Sequence, residues 1–500
     1  MSSDEPVLVP DDTCWKIAEA DRLAVIIDAA EYFRYAKEAM LQAQSRIMLI
    51  GWDFDTRIKF EPEGATLDGP NDLGAFLKWL PKHRPGLEIK LLKWSLGAFT
   101  AITRGMAPVF VQNWLTPDAL QFEIDLAHPI GAAHHQKILV IDDQIAFCGG
   151  IDMTVDRWDT SDHSDQNTYR TKPNGKAYGP WHDATTAVDG AAAKAVGQAA
   201  RDRWQTATGQ ELQPVTDTTG DYWPDDLVPT MRSVDVAVAR TLPEIPGRDE
   251  VREIESLYLA AIADAEDYLY LESQYLASRT IAEAIEKRLR EADGPEIVLV
   301  LPRHADGWLE QQTMDGARHR LLHMLWRADT YDRFRAYHPV TVSGEPIYVH
   351  AKILVMDDRF LRVGSSNLNN RSMGFDSECD LAVEIDPDRT DTEADTHRTA
   401  IRGVRNRLLS EHLDVSADEL ERIVGDSPSL IAAIDGLRGE GKTLVPFDRE
   451  VIDGEQSELA ENELMDPEQA PTTLLEKSYR RIAGRRFTRP ADRATTSQSA

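Results

Sequence analysis

The stretch HQKILVIDDQIAFCGGID at residues 135–152 is repeated, with substitutions, as HAKILVMDDRFLRVGSSN at residues 350–367. Both copies have a histidine, a lysine two positions later and an aspartate five positions after the lysine, followed by an apolar segment and a turn of small residues. A single copy of this pattern would be equally typical of an ordinary strand with a surface lysine and a turn aspartate. Two copies that share H-x-K-I-L-V-x-D-D indicate an internal duplication with a common function.

The histidine and lysine of each copy are two positions apart on an apolar run, and side chains with that spacing point to the same face of a strand. His135 with Lys137, and His350 with Lys352, can therefore each converge on one ligand. Imidazole can attack phosphorus when neutral and donate a proton when charged, and an ammonium group stabilises anionic oxygens. These groups match the needs of phosphodiester cleavage, which requires a nucleophile, stabilised oxygens and an acid for the departing alkoxide.

The duplication extends over most of the chain. In each half a helical pattern precedes a buried strand, and the four segments are 29–43, 46–54, 253–265 and 267–275. Each half continues with a second helix and another apolar strand. After the motif, each half has an apolar strand that begins at an acid, Asp183 or Glu378. The alternation predicts an α/β protein of two similar lobes, each a mixed β-sheet flanked by helices, related by an approximate two-fold axis.

The extent of the repeat also predicts the domain boundaries. A polar stretch with prolines and glycines around 209–229 and a loop at 243–248 separate the halves, and the repeat has ended by about residue 390. We therefore expect five regions: an N-terminal lobe at 1–208, a linker at 209–249, a C-terminal lobe at 250–390, a helical extension at 391–453 and a polar, then basic, loosely ordered tail at 454–500.

The composition is that of a globular protein, with 500 residues of which 42% are hydrophobic. No apolar stretch approaches the roughly 20 residues that span a bilayer. The acidic N-terminus does not resemble a secretory signal, and the three cysteines lack the spacing of a zinc site or a disulfide framework, so we expect a cytoplasmic protein. The formal charge of −30 disfavours nucleic acid as a partner and requires a local basic pocket for any anionic substrate.

Several further segments resemble the phospholipase D superfamily. They are the turns GGID at 149–152 and GSSN at 364–367, RWD at 157–159, PWHD at 180–183 and ESQY at 272–275. The resemblance covers about residues 20–390, and RWD together with RSMGFDSE at 371–378 is similar to the lipid-hydrolysing members. It implies cleavage of the head-group phosphodiester of glycerophospholipids to phosphatidic acid through a covalent phosphohistidine. Transfer to an alcohol in place of water is implied as a second outcome.

The resemblance also implies roles for the site residues. His135 attacks phosphorus, and His350 protonates the leaving alcohol and then acts as a base toward water or an alcohol. From the spacing alone, these two roles are interchangeable. The nonbridging oxygens are bound by Lys137, Lys352, Asn367 and Ser365. The tautomer of each histidine is held by an acid, Asp183 or Glu378.

Three aspartates differ from the other site residues in their expected roles. Asp142 and Asp357 complete the motifs and are grouped with the catalytic residues, but their position at the turn after a strand indicates a structural role. Asp152 stands where the second half has Asn367, and a carboxylate beside a phosphate is unfavourable unless it is hydrogen-bonded or turned away. The scheme requires no metal or other cofactor, because the lysines supply the positive charge.

Several functions are compatible with these residues. A phospholipase D leads, and a phosphatidyltransferase resembling cardiolipin synthase is second, because water and an alcohol compete for the same intermediate. A nuclease is third because of the acidic charge, and the intact histidines and lysines disfavour a lipid-binding protein without activity. We expect a phospholipid substrate at a membrane surface, no transmembrane segment and a monomer that suffices for activity, since both motifs are on one chain.

Three segments of the chain are candidates for contact with a membrane. The insertion before Asp183 either forms a membrane-facing rim or packs as an ordinary loop; its aromatic residues and lysines are Trp158, Tyr169, Tyr178, Trp181, Lys172 and Lys176. The apolar helical stretch at 319–327 is the second candidate, although such stretches are more often core. The third is the arginine-rich tail, for which a solvated state is the more common outcome.

Overall fold

The computed structural model describes residues 6–94, 119–129, 131–306, 314–427, 429–449 and 466–467. Within these ranges the strands are β1 (Lys16–Ile27), β2 (Arg46–Gly51), β3 (Glu88–Trp94), β4 (Leu120–Asp125), β5 (Ile138–Ile141), β6 (Ile145–Gly149), β7 (Trp181–His182), β8 (Ala184–Asp189), β9 (Met231–Leu242), β10 (Val251–Arg252), β11 (Tyr268–Glu272), β12 (Glu296–Val300), β13 (Phe334–Val340), β14 (Tyr348–Val349), β15 (Ile353–Met356), β16 (Phe360–Gly364), β17 (Glu378–Glu384) and β18 (Thr443–Pro446).

The helices are α1 (Ala29–Leu41), α2 (Leu73–His83), α3 (Gly190–Thr208), α4 (Glu253–Asp264), α5 (Arg279–Leu289), α6 (Gly316–Ala328), α7 (Thr392–Leu413), α8 (Ala417–Asp426) and α9 (Leu430–Leu437), with a short π-helix at Arg371–Phe375. None of these described helices combines the length and the apolar character that crossing a bilayer needs. The predicted tail at 454–500 lies outside the described residues, apart from 466–467.

Sixteen strands form one mixed sheet in the order β18-β13-β12-β11-β15-β16-β17-β9-β1-β8-β6-β5-β2-β3-β4, with β10 paired to β9. The antiparallel pair β1 and β9 lies at its centre. From this pair outward, both sides have the same succession of elements, and the motif strands β5 and β15 are each the third strand beyond the pair. The predicted α/β class with a mixed sheet flanked by helices is confirmed. The matching order on the two sides is consistent with the expected two-fold relation between the halves.

Alternation along the strands divides the apolar side chains between the two faces of the sheet. In β5, Ile138 and Val140 belong to a core shared with α3 and α7, whereas Leu139 and Ile141 belong to a core with α1 and α2. The equivalent positions of β15 divide between the shared core and a core with α4, α5 and α6. The helices α3 and α7 therefore pack against both halves and hold them together.

Two regions contain strands that the predicted boundaries did not include. The expected linker at 209–249 contains β9, which is central in the sheet and pairs with β1 over most of its length. The expected helical extension at 391–453 contains α7, α8 and α9 but ends in β18, which adds an edge strand beside β13. Both strands were missed because they follow polar, turn-rich segments, and their apolar alternation is short or interrupted by charged residues.

Candidate active site

Two short main-chain contacts join the halves where the motifs meet. The two-residue strands β7 and β14 pair in parallel, and the N–H of His350 donates to the carbonyl of His182 at 2.8 Å. On the other side, the N–H of His135 donates to the carbonyl of Ser377 at 2.9 Å. In both contacts the acceptor, His182 or Ser377, immediately precedes the acid of its half and bonds to the motif histidine of the other half. The two motifs therefore lie at one site between the halves.

The histidine–acid pairs cross from one half to the other. Nδ1 of His135 lies 3.0 Å from both carboxylate oxygens of Glu378, and Nδ1 of His350 lies 2.6 Å from a carboxylate oxygen of Asp183. Both acids are fully buried. A carboxylate at Nδ1 holds the proton there and leaves Nε2 as the nitrogen that can react. Neither histidine could keep this arrangement without the opposite half of the chain.

The two lysines lie beside the histidines but in different surroundings. The ammonium of Lys352 is buried and donates to the carbonyl of His350. Burial lowers the pKa of Lys352 to about 7. Lys137 donates to the carbonyl of His135 at 2.8 Å and lies 3.2 Å from a carboxylate oxygen of Asp152. One lysine is thus already paired with a carboxylate of its own half.

Asp152 and Asn367 occupy equivalent turns, and both side chains are buried. The main-chain N–H groups of Trp52 and Asp53 donate to one oxygen of Asp152 at 3.0 and 3.3 Å. Burial raises the pKa of Asp152. The amide nitrogen of Asn367 lies 3.5 Å from the side chain of Gln274, and among the described residues its buried carbonyl oxygen has no hydrogen-bond partner. The sequence-based condition for Asp152, that it be hydrogen-bonded, is met by the main chain.

The two acids are supported differently. The hydroxyl groups of Ser365 and Ser372 donate to Glu378 at 2.5 and 2.7 Å. Gly150 is the first-half counterpart of Ser365, and a Cβ added to it would lie 2.3 Å from Oδ1 of Asp183. The shorter acid therefore fills the space that a side chain occupies in the other half. Ser365 lies against its acid, in a supporting position, and Ser372 was not singled out from the sequence although the quoted RSMGFDSE segment contains it.

The proton affinities of the two pairs differ. Burial raises the pKa of Glu378 to about 8, although Lys137 and the two serine hydroxyls favour its ionised form. Burial acts in the same direction on Asp183, but the charge and hydrogen bond of His350 outweigh it and lower its pKa to about 2. Burial also lowers the pKa of His135 and of His350 well below the ordinary value for histidine. The His135–Glu378 pair therefore keeps an additional proton to higher pH.

Asp142 and Asp357, the last residues of the motifs, lie at the opposite ends of β5 and β15 from the histidines. Each carboxylate accepts three main-chain N–H groups from the segment that leads into the neighbouring strand. For Asp142 the donors are Gln44, Ser45 and Arg46 at 2.5–2.9 Å, and for Asp357 they are Glu266, Asp267 and Tyr268 at 2.7–2.9 Å. These contacts tie each motif strand to the strand beside it and agree with the structural role predicted from the turn position.

Aromatic rings flank both histidines. The ring of Trp52 lies edge-on to His135 at a centroid distance of 6.5 Å, and the ring of Trp181 lies 5.2 Å from His350. The guanidinium of Arg157, from the RWD segment, lies 4.3 Å over the ring of Trp181. Rings at these positions limit the access of water to the imidazoles and bring a cation near the site.

Of the two alternatives for the insertion, the packed loop fits its two tryptophans, because Trp158 and Trp181 are only 5% and 7% exposed. Tyr169 is 43% exposed and remains available at the surface. The apolar stretch at 319–327 lies in α6, where Leu322 and Leu325 are fully buried, so it is a core helix. The arginine-rich tail lies outside the described residues.

The chain is similar to family models and proteins named for phospholipase D. A family model described as phospholipase D matches residues 117–290, and one described as cardiolipin synthase, phospholipase D-like domain, matches residues 258–397. Phospholipase D A of Dictyostelium discoideum is 25% identical over 476 residues, covering 80% of this chain and 36% of that protein. Phospholipase D alpha 2 of rice is 26% identical over 522 residues, covering 76% of this chain and 63% of that protein.

The chain therefore spans less than two thirds of the length of either relative. Among solved structures, phosphatidylserine synthase of Haemophilus influenzae aligns with a TM-score of 0.49 and 13% identity, over 77% of this chain and 86% of that one. The two family models together cover both motifs and the segment between them. With two H-x-K-x4-D motifs at one site, this chain belongs to the phospholipase D superfamily.

Proposed function

We propose that the protein is a phospholipase D, a phosphodiesterase that converts glycerophospholipids to phosphatidic acid and a head-group alcohol. The observation that carries the proposal is the crossed pairing, in which an acid of the opposite half holds each motif histidine at Nδ1. Two imidazoles held in this way offer one nucleophilic nitrogen and one proton donor, which are the two groups that the reaction needs. The relatives named phospholipase D support the substrate class.

In the first step, Nε2 of His135 attacks phosphorus while the bond from phosphorus to the head-group oxygen breaks. The anionic phosphate counteracts the effect of burial on His350 and favours its protonated ring, which donates this proton to that oxygen as the head-group alcohol leaves. The positive charge that develops on the phosphorylated ring of His135 faces Glu378, 3.0 Å from Nδ1. His350, now neutral, then removes a proton from water as the water oxygen attacks phosphorus. The phosphorus–nitrogen bond breaks, phosphatidic acid is released and His135 is regenerated.

The nonbridging oxygens of the phosphate are bound by Lys137, Lys352 and the amide of Asn367 in this mechanism. Charge-assisted hydrogen bonds are strong in a buried site, and they strengthen as negative charge builds up in the transition state. Lys137 exchanges part of its contact with Asp152 for the phosphate. The main-chain N–H groups of Trp52 and Asp53 remain on Asp152 in this exchange and reduce its repulsion of the substrate.

A phosphatidyltransferase is the second candidate, since the model described as cardiolipin synthase matches residues 258–397. The two activities share the covalent intermediate and differ only in the acceptor, which is water in one case and an alcohol in the other. We also propose that the protein acts from the cytoplasm on a membrane surface and as a monomer. The presence of both motifs in one chain supports the monomer, and Tyr169 offers one exposed aromatic contact.

The test is to incubate the purified protein with mixed phospholipid vesicles and ethanol, and to measure phosphatidic acid and phosphatidylethanol by mass spectrometry. His135→Ala and His350→Ala remove the reacting groups, and His83→Ala, at an exposed position of α2, is the matched control. We expect both products from the wild type and the control and neither from the two motif variants. Cardiolipin as the main product would favour the transferase, and a folded protein without lipid turnover would contradict both and direct the search to other phosphodiesters.

A further inference from the structure

A second cluster of buried polar side chains lies next to the active site. Its members are Asp28, His163, His182 and Glu411. They come from separate parts of the chain: the residue before α1, the loop after the RWD segment, β7 and α7. The four side chains are at most 5% exposed. None of them takes part in the proposed reaction, so their convergence requires another explanation.

The donor atoms are spaced as ligands of one small cation. Nε2 of His163 lies 3.0 Å from Oε1 of Glu411 and 3.7 Å from Oδ2 of Asp28. Nδ1 of His182 lies 2.6 Å from the same oxygen of Glu411 and 3.5 Å from Oδ1 of Asp28. Ligand atoms at about 2.0–2.1 Å from a tetrahedral zinc ion lie about 3.3 Å from one another. The four nitrogen–oxygen distances in the cluster, 2.6–3.7 Å, are distributed around this ligand-to-ligand spacing.

The outer nitrogen of each imidazole is fixed by a further carboxylate. Nδ1 of His163 lies 2.9 Å from Asp159, and Nε2 of His182 lies 2.8 Å from Glu272. Metal-ligating histidines almost always donate their second N–H to such a group, which sets the tautomer and orients the ring. Each ring therefore presents one nitrogen to the centre of the cluster, and its other nitrogen contacts the carboxylate of Asp159 or Glu272.

The charge of the cluster matches that of one divalent cation. Arg170 pairs with Asp159, and His412 and Tyr270 hydrogen-bond to Glu272, which leaves the carboxylates of Asp28 and Glu411 to be balanced. One additional proton on each of the two imidazoles would supply two positive charges, and a single divalent cation supplies the same charge while binding all four side chains. We infer that Asp28, His163, His182 and Glu411 form a buried site for a divalent cation of the zinc class.

This site is separate from the phosphate site and would have a structural function. Glu411 belongs to α7, in the C-terminal extension, whereas His182 immediately precedes Asp183, the acid that holds His350. A cation there would fasten the extension to the strand that carries the acid. The inference does not depend on the proposed lipid substrate.

The test uses the full-length protein, stripped with a chelator, reloaded with Zn²⁺ and passed through gel filtration. Metal content per chain is measured by mass spectrometry of the elements, and affinity by competition with a chromophoric chelator. We expect one zinc per chain in the wild type. Binding should be weaker in His163→Gln and Glu411→Gln by at least the roughly 100-fold that loss of an outer-shell partner can cost, because each substitution removes a ligand. The matched control is His397→Gln, because His397 is a buried histidine of α7 that contacts the carbonyl of Arg232 instead.

Co²⁺ in place of Zn²⁺ gives a spectroscopic readout, since tetrahedral coordination produces intense visible absorption bands. We expect these bands in the wild type and in His397→Gln and their loss in Glu411→Gln. A folded wild-type protein that retains no metal after reloading would overturn the inference and assign the cluster to two protonated histidines. Equal zinc binding in His163→Gln would overturn it as well, because the metal would then lie elsewhere.

Discussion

At the scale of single residues, the two crossed pairs differ in how firmly they hold a proton. Burial raises the pKa of Glu378 to about 8 against the opposing effect of its serine hydrogen bonds, whereas the charge and hydrogen bond of His350 outweigh burial and lower the pKa of Asp183 to about 2. The His135–Glu378 pair therefore loses its additional proton as the pH rises through about 8. This proton is on Glu378, and its loss lets the carboxylate accept the Nδ1 proton of His135, which fixes the tautomer whose Nε2 is free to attack.

The ionisation of Glu378 should make the activity depend on pH. We expect kcat/KM on phosphatidylcholine vesicles to pass through a maximum, rising as Glu378 ionises toward about pH 8 and falling as Lys352, whose pKa is about 7, loses its charge. Glu378→Gln cannot titrate, so this rise should disappear from its pH–rate profile while a lower activity remains. A rising limb that persists unchanged in Glu378→Gln would contradict this role of Glu378.

Gly150 provides a second test at this scale. A Cβ at this position would lie 2.3 Å from the Asp183 carboxylate, so Gly150→Ala should displace the acid and turn the ring of His350. Displacements of about 1 Å at an active site can lower the rate about 100-fold, and we expect a loss of kcat of this order. Gly403→Ala is the matched control, since a Cβ there meets nothing within 4 Å. A Gly150→Ala variant with full activity would show that the position of Asp183 is not critical.

At the scale of the elements, the motif strands could be predicted and the central strand could not. The apolar run after each motif histidine, ILVI or ILVM, is typical of a buried strand, and β5 and β15 lie there. The sequence of β9 alternates small apolar residues with charged ones and follows a turn-rich segment, so the local pattern did not distinguish it from a linker. Its position depends on pairing with β1, more than 200 residues earlier, which no local pattern contains.

The site was predictable in its composition but not in its pairing. His135, His350 and both acids were recognisable from the repeated order of segments. Which acid meets which histidine depends on the two-residue pairing of β7 with β14 and on the contact of His135 with Ser377, and these contacts join opposite halves. Pairing over such long separations is a tertiary property.

Asp142 and Asp357 allow a prediction about the motif strands. Each carboxylate accepts three main-chain N–H groups of the adjacent segment, and its loss would remove three hydrogen bonds, each worth about 1 kcal/mol. We expect Asp142→Ala and Asp357→Ala each to lower the free energy of unfolding by about 3 kcal/mol in urea titrations. The kcat of the folded fraction should be close to that of the wild type. An unaltered stability together with a kcat reduced about 100-fold would contradict the structural role. Asp217→Ala, at an exposed position, is the control.

At the scale of the whole molecule, the sheet runs through both halves, and α3 and α7 pack against both of them. Each chain therefore contains a complete site. We expect that an equimolar mixture of His135→Ala and His350→Ala remains inactive on phospholipid vesicles, because no intact site can form when every chain lacks one reacting histidine. Light scattering after gel filtration should give the mass of one chain, about 56.0 kDa. Activity restored by mixing would show that halves exchange between chains.

The crossed pairing also restricts how genes of this kind can recombine. A crossover in the stretch between the halves would join a histidine of one parent to an acid of the other at both places in the site. The acids need not have the same length, as Asp183 and Glu378 show within this chain. A hybrid of two diverged parents would then misplace both imidazoles at once, even if each parental half folds normally. Selection should therefore favour inheritance of the halves as a matched set, with changes on one side followed by compensating changes on the other.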